Sequence, residues 1–192
     1  MKIAYIILLL IALAMPGYLP APDLPPGDNS FLLLEKMRND IIKKDKAQFR
    51  VKYYRFKKLL AKYESENNWK EYSRFGFIGK YQFGKSALDA TGYGNVSLQE
   101  FMTNPSSFSE QEQEKAMDIL LKINESVMVK SINKYVGLIF YDSIPITRMG
   151  ILAAAHLAGP ANVKEFLDSF GKKNFQDRLG TRISDYLYRF SI

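Results

Sequence analysis

Cysteine is absent from the 192 residues, and histidine occurs once, as His156. The first absence excludes disulfides, thiolate zinc sites, a cysteine nucleophile and a lipid-bearing cysteine. The second leaves almost nothing for a transition-metal centre, whose usual ligands are imidazole and thiolate. A long apolar run is also missing. The longest, Ile3 to Met15, is about thirteen residues, short of the roughly 20 that span a bilayer comfortably. Proline is scarce in most of the chain, because Pro16, Pro20, Pro22, Pro25 and Pro26 account for five of the eight.

What is present has the balance of a globular protein, with 47% hydrophobic and 24% charged residues. The length suits one well-buried core. The start, Met1-Lys2 and then the apolar run with small residues after it, reads as a secretory signal over 1–17, with an uncleaved N-terminal anchor as second choice. The proline cluster makes 18–28 an extended, semi-rigid linker. These features place the protein outside the cytoplasm, secreted or periplasmic, touching membrane only through its N-terminus. The net charge is +7, and Lys36 to Lys62 carries eleven of the 27 basic residues. Such a stretch is either a solvated helix face or an attractor of polyanions. Nucleic acid, anionic membrane and the bacterial wall, with its peptide carboxylates and phosphates, are the candidates.

From Asn29 the pattern turns helical. Phe31, Leu34, Met37, Ile41 and Ile42 recur at three- and four-residue spacing, and a second stretch from about Asp45 directs Val51, Phe56, Leu59, Leu60 and Tyr63 towards a core. A short helix is expected over Gly84 to Ala90. Capping boxes at Ser97 to Glu100 and Ser109 to Glu112 open two more. The second of these runs to about Lys134, with Met117, Leu120, Leu121, Ile123, Val127, Met128 and Ile132 as its apolar positions. Met149 to Ala158 is apolar and alanine-rich enough to sit at the centre of the fold. Gly159-Pro160 starts another helix that Gly171 ends, and Ile183 to Phe190 supplies the last. Only Tyr72 to Phe83 could hold a small hairpin. The expected class is mainly α: one globular domain over 29–192.

The organising stretch is Tyr63 to Tyr93. Glu64 lies four residues after Leu60, on the same helix face, and is followed by a glycine-punctuated aromatic segment. Glu66, offset by two residues, points elsewhere. Glu64 either turns to solvent or faces Tyr81 and Phe83; in the second case desolvation raises its pKa and keeps it protonated, as a general acid requires. Tyr81, Phe83 and Tyr93 are equally readable as core or as cleft wall, and His156 as a core histidine satisfied by a backbone carbonyl. Asp177 and Thr181 are expected to organise a turn.

Three motifs in order carry a resemblance: Glu64-Ser65, Gly79-Lys80-Tyr81-Gln82, and Ala153-Ala154-Ala155-His156-Leu157-Ala158-Gly159. Together they resemble the lysozyme-like lytic transglycosylases of bacteria and phages. Gly79 to Leu88, Gly150 to Gly159 and Asp177 to Phe190 are similar to a secreted or phage-associated branch of peptidoglycan hydrolases, over roughly Phe56 to Phe190. The resemblance implies a lysozyme-like fold, with at most a small β-hairpin near the active-site cleft, and Glu64 as the catalytic acid. It implies substrate contacts from Ser65, Gly79, Tyr81, Gln82, Phe83 and His156, and no metal or cofactor. Two departures stand out: GKYQ replaces the family's GLMQ, and His156-Leu157 replaces an aromatic-asparagine pair, so that His156 becomes the candidate support for Glu64.

A lytic transglycosylase manages with one carboxyl where ordinary glycosidases use two. By the resemblance, Glu64 protonates the oxygen between N-acetylmuramic acid and N-acetylglucosamine. It then takes the proton of the muramyl C6 hydroxyl, which closes on C1 as a 1,6-anhydro end. The implied partners are peptidoglycan glycan strands and, by extension, an envelope-spanning machine, with the chain acting as a monomer. Three other readings stay open. A hydrolytic muramidase would draw a second carboxylate from Glu71 or Glu66. A non-catalytic wall-binding or assembly protein would keep the fold without turnover. Nucleic-acid binding through the basic stretch would fit the charge, although a signal-like N-terminus argues against it and no nucleic acid is expected.

Overall fold

The computed structural model describes residues 29–140, 143–177 and 179–192; the expected signal segment and linker lie outside them. The chain divides into two units, Met1–Val51 and Lys52–Ile192. The described part of the first is helical throughout, and the second holds the remaining architecture.

The protein is mainly helical, 63% helix with one two-stranded antiparallel sheet. Helix α1 (Asn29–Ser65) runs through both expected stretches without a break. After a loop come α2 (Lys85–Thr91), α3 (Leu98–Thr103), a 3-10 turn at Pro105–Phe108, and the long α4 (Glu110–Tyr135). Strands β1 (Ile139–Phe140) and β2 (Ile144–Pro145) pair Ile139 with Pro145 and Phe140 with Ile144. Helices α5 (Arg148–Ala158), α6 (Pro160–Asp168) and α7 (Ile183–Arg189) complete the chain. Among the described residues no helix is long and apolar enough to cross a membrane.

Helix α5 is the axis of the second unit. Met149 to Ala155 are buried without interruption, and the helix packs against α4, α6 and α7. Its small residues permit that crowding. A Cβ on Gly150 would sit 3.0 Å from the Leu187 carbonyl oxygen, so the glycine lets α7 approach closely. Around this axis α1 contributes Phe56, Leu60 and Ala61, and α4 contributes Ala116, Met117, Leu121, Met128 and Ile132, all at helical spacing and buried. Val51 and Val127, expected on the inner faces, are instead 58% and 63% exposed. Val127 lies at the edge of the α4 stripe, and Val51 precedes Phe56, the first buried side chain among those described in α1, by more than a turn.

The hairpin expected between Tyr72 and Phe83 does not form; the two-stranded sheet is β1–β2. In its place Ile78 makes single bridges to Tyr72 and Phe83. Ile78 and Phe83 exchange both backbone hydrogen bonds, at 3.1 and 2.8 Å. Gly76, Gly79 and Gln82 all have positive φ in this short stretch, so the chain reverses before a ladder can extend.

Phe56 is fully buried and meets Phe190 edge-on, with 5.9 Å between ring centroids, which couples α1 to the C-terminal segment. Phe56→Ala should cost about 3–5 kcal/mol of unfolding free energy in urea denaturation; a loss below about 1 kcal/mol would mean that α1 is not part of this core.

Candidate active site around Glu64

Helix α1 ends where its last acidic residue meets the core. Glu66 and Asn67 take left-handed backbone angles, φ 53° and 64°. Their N–H groups bond back to the carbonyls of Lys62 and Ala61, at 3.0 and 3.1 Å, a helix stop made without glycine. This stop fixes Glu64 one residue before the end. It also turns Glu66 back towards the same space, so that Glu66, expected to point elsewhere, lines the cavity with Glu64.

The Glu64 side chain is 15% exposed. Its Oε1 accepts a hydrogen bond from the Tyr186 hydroxyl at 2.6 Å, and His156 Nε2 stands 3.9 Å from the same oxygen. That nitrogen lies 2.8 Å from the Tyr81 carbonyl oxygen. A carbonyl only accepts, so Nε2 carries a hydrogen. His156 therefore bonds a backbone carbonyl through Nε2 while standing beside the acid. Its other nitrogen, Nδ1, is buried without a partner. Burial pushes the Glu64 pKa up, and the Asp177 charge adds to the rise. His156 and the Tyr186 hydrogen bond oppose it without cancelling it.

The carboxyl opens on a cavity of about 430 Å³ lined by Tyr63, Glu64, Ser65, Glu66, Asn68, Glu71 and Gln82. Its far wall is the 79–82 turn, held from below by Gln113, a fully buried side chain of α4. Gln113 Oε1 accepts from Lys80 N at 2.6 Å, and its Nε2 donates to the carbonyls of Trp69 and Phe108 at 2.8 and 2.7 Å. Gly79 is required at the point of contact. Its φ is +77°, and a Cβ there would fall 2.5 Å from Gln113 Oε1. The Ser65 hydroxyl donates to the Lys80 carbonyl at 2.8 Å, which ties the end of α1 to the turn. Gln82, itself at φ 49°, donates from Nε2 to the Gly79 carbonyl at 3.0 Å.

Of the residues nominated from sequence as site residues, Glu64, Ser65 and Gln82 line the cavity, whereas the side chain of His156, expected as a substrate contact, is buried beside Glu64 and does not line it. Gly79 does not line the cavity and serves the turn, through its positive φ and its close approach to Gln113. Tyr81 and Phe83 do not reach the cavity: they are 1% and 0% exposed and belong to the core, and Tyr93 packs against that core as well. The Tyr81 hydroxyl points away from Glu64 and donates to Glu114 Oε1 at 2.8 Å. Burial would raise the Glu114 pKa, but hydrogen bonds from Lys57, Tyr81 and Lys80 outweigh it and hold the carboxyl below its ordinary value. Asp177 organises its turn as expected, with Oδ1 accepting from Leu179 N and Thr181 N at 2.8 and 2.7 Å.

Sequence reasoning missed Tyr186 and Gln113. Gln113 carried a signal, since it is an uncharged polar residue four and seven positions before Met117 and Leu120, on the buried stripe of α4. Tyr186 carried none, because its partner lies 122 residues away. Among the described residues no three histidine, aspartate or glutamate side chains converge to hold a metal ion. Comparison with protein-family models, with curated proteins and with solved structures gives no match.

Because the folded protein holds the Glu64 proton more tightly than the unfolded chain does, the stability this group contributes is complete below the ordinary carboxyl pKa. It is lost as pH rises through the elevated one. Glu64→Gln removes that loss while keeping an acceptor for Tyr186. Thermal unfolding should therefore show the variant gaining on the wild type as pH rises above the ordinary carboxyl value; a gap that stays constant or shrinks would contradict a raised pKa.

Proposed function

We propose that the protein is a glycan-cleaving enzyme of the bacterial wall, secreted or periplasmic. Within that class we assign it as a lysozyme-like peptidoglycan lytic transglycosylase with Glu64 as its only acid–base group. One observation carries the reading: a single buried carboxyl, raised in pKa and hydrogen-bonded by a buried tyrosine, opens on a polar cavity wide enough for a sugar ring.

The arrangement suits both halves of the reaction. Tyr186 donates to Oε1, which leaves Oε2 to carry the proton. Glu64 transfers that proton to the glycosidic oxygen between the muramic acid and glucosamine residues, and the C1–O bond breaks with the glucosamine leaving as an alcohol. The carboxylate so formed is stabilised by the Tyr186 hydroxyl and by His156, the two groups that oppose its raised pKa. It then accepts the proton of the muramyl C6 hydroxyl as that oxygen bonds to C1, which closes the anhydro ring and restores the neutral acid. Burial keeps the proton on the acid until the glycosidic oxygen takes it, and the two neighbours make its conjugate base tolerable. Gln82 and Asn68 offer neutral polar contacts to the sugar from the cavity wall.

A second reading, hydrolysis, is favoured by the presence of Glu66 and Glu71 in the same cavity. There one of them would activate a water, as two-carboxylate glycosidases do.

Mass spectrometry of fragments released from purified sacculi separates the two. Anhydro-muramyl ends that vanish in Glu64→Gln are the expected result, with a rate loss of at least about a hundredfold. Reducing ends would give the site to the hydrolytic reading, and no release with sacculus binding intact would remove catalysis altogether.

A further inference from the structure

A second cavity, of about 470 Å³, adjoins the first. Two short segments contribute to the lining of both. Glu66 lines the Glu64 cavity while its neighbour Asn67 lines the second, and across the 79–82 turn Gln82 faces the first while Lys80 faces the second. Consecutive Cα atoms are 3.8 Å apart, so the two linings come within one residue of each other along the chain at Glu66 and Asn67.

The base of the second cavity is a closed ion-pair network. Buried Lys57 bonds Glu114 and Asp118 at 2.8 and 2.5 Å, and Lys80 bonds Glu110 and Glu114 at 2.9 and 3.0 Å. The rim is different. Among the described residues Lys58 forms no ion pair and only rests 5.8 Å from the Tyr54 ring centroid, while the Asn67 amide makes no hydrogen bond. Asp118 and Glu110 spend one carboxylate oxygen each on the network and are about half exposed, which leaves the other oxygen outward. Tyr54, 65% exposed, adds an apolar ring face. The rim thus presents donors for a carboxylate, acceptors for an ammonium group and a flat surface for the chain between them.

We propose that this cavity binds a short peptide carrying both a carboxylate and an ammonium group. Its position beside a glycan-cleaving centre identifies the source as the peptide stem of the wall polymer. Only that assignment of source rests on the glycan reading; the site itself does not. A sugar in the first cavity and its peptide branch in the second would make the enzyme select peptide-bearing strands.

The test titrates stem peptides, released from sacculi by an amidase and free of sugar, into the full chain by calorimetry, alongside an all-L peptide of the same charges. Saturable binding of the stem peptide is expected, weakened about tenfold or more by Tyr54→Ala or Lys58→Gln and by acetylating the peptide amine, and unchanged by Tyr63→Ala in the first cavity. No saturable binding, or binding indifferent to both rim variants, would overturn the site. Tighter binding of the all-L peptide would overturn the wall as source. Release of anhydro ends from intact, peptide-bearing sacculi, scored separately, tells the two failures apart: its absence with peptide binding intact removes the glycan reading and leaves the site standing.

Discussion

A carboxyl group withdrawn from water must give up its charge or find partners for it, and Glu64 does some of each. Burial favours the neutral acid; the 2.6 Å hydrogen bond from Tyr186 and the neighbouring His156 favour the anion. The Tyr186 contact joins residues 122 apart in sequence. It requires α1 to end in the core, α7 to pack on α5 through Gly150, and Phe190 to seat between Phe56 and Tyr63. Much of the architecture of the second unit can be read as what holds that one pair in place.

The facing wall is built with similar economy. One amide side chain, Gln113, satisfies a backbone donor of the 79–82 turn and two carbonyls of flanking segments. A buried amide so fully bonded rigidifies what it touches, whereas the same amide with a missing partner would weaken it. Behind the turn, Lys57, Lys80, Glu114 and Tyr81 form a second polar network that anchors the turn from the other side. The cavity between therefore has fixed walls, and Glu66 and Glu71 place two further carboxyl groups beside Glu64 in a chain of net charge +7.

The helices were legible because each carries a local signal. The Ser109 cap is one: its N–H and hydroxyl both bond Glu112 Oε2, at 2.7 and 2.6 Å. The left-handed Gly92 that stops α2 is another. Glu64 was legible because its spacing from Leu60 put it on a buried face. What failed depended on partners distant in the chain. Tyr81 and Phe83 looked like cleft aromatics because the sequence around them is rich in glycine, yet alternation and turn geometry sent both side chains into the core. Tyr186 looked like one more apolar residue of α7, since nothing in its neighbours reveals that its hydroxyl meets an acid. The hairpin was misplaced because positive-φ turns and strand turns share the same residue types.

Glu64 can act as an acid only while it holds its proton. The most direct measurement of that proton is a carbon-detected NMR titration of the Glu64 carboxyl, run beside Tyr186→Phe. A midpoint clearly above the ordinary value of 4.5 is the predicted result, rising further in the variant because the hydrogen bond that favours the anion is gone. A midpoint at or below 4.5 would contradict the account, since a carboxyl already ionised at neutral pH cannot serve as the acid.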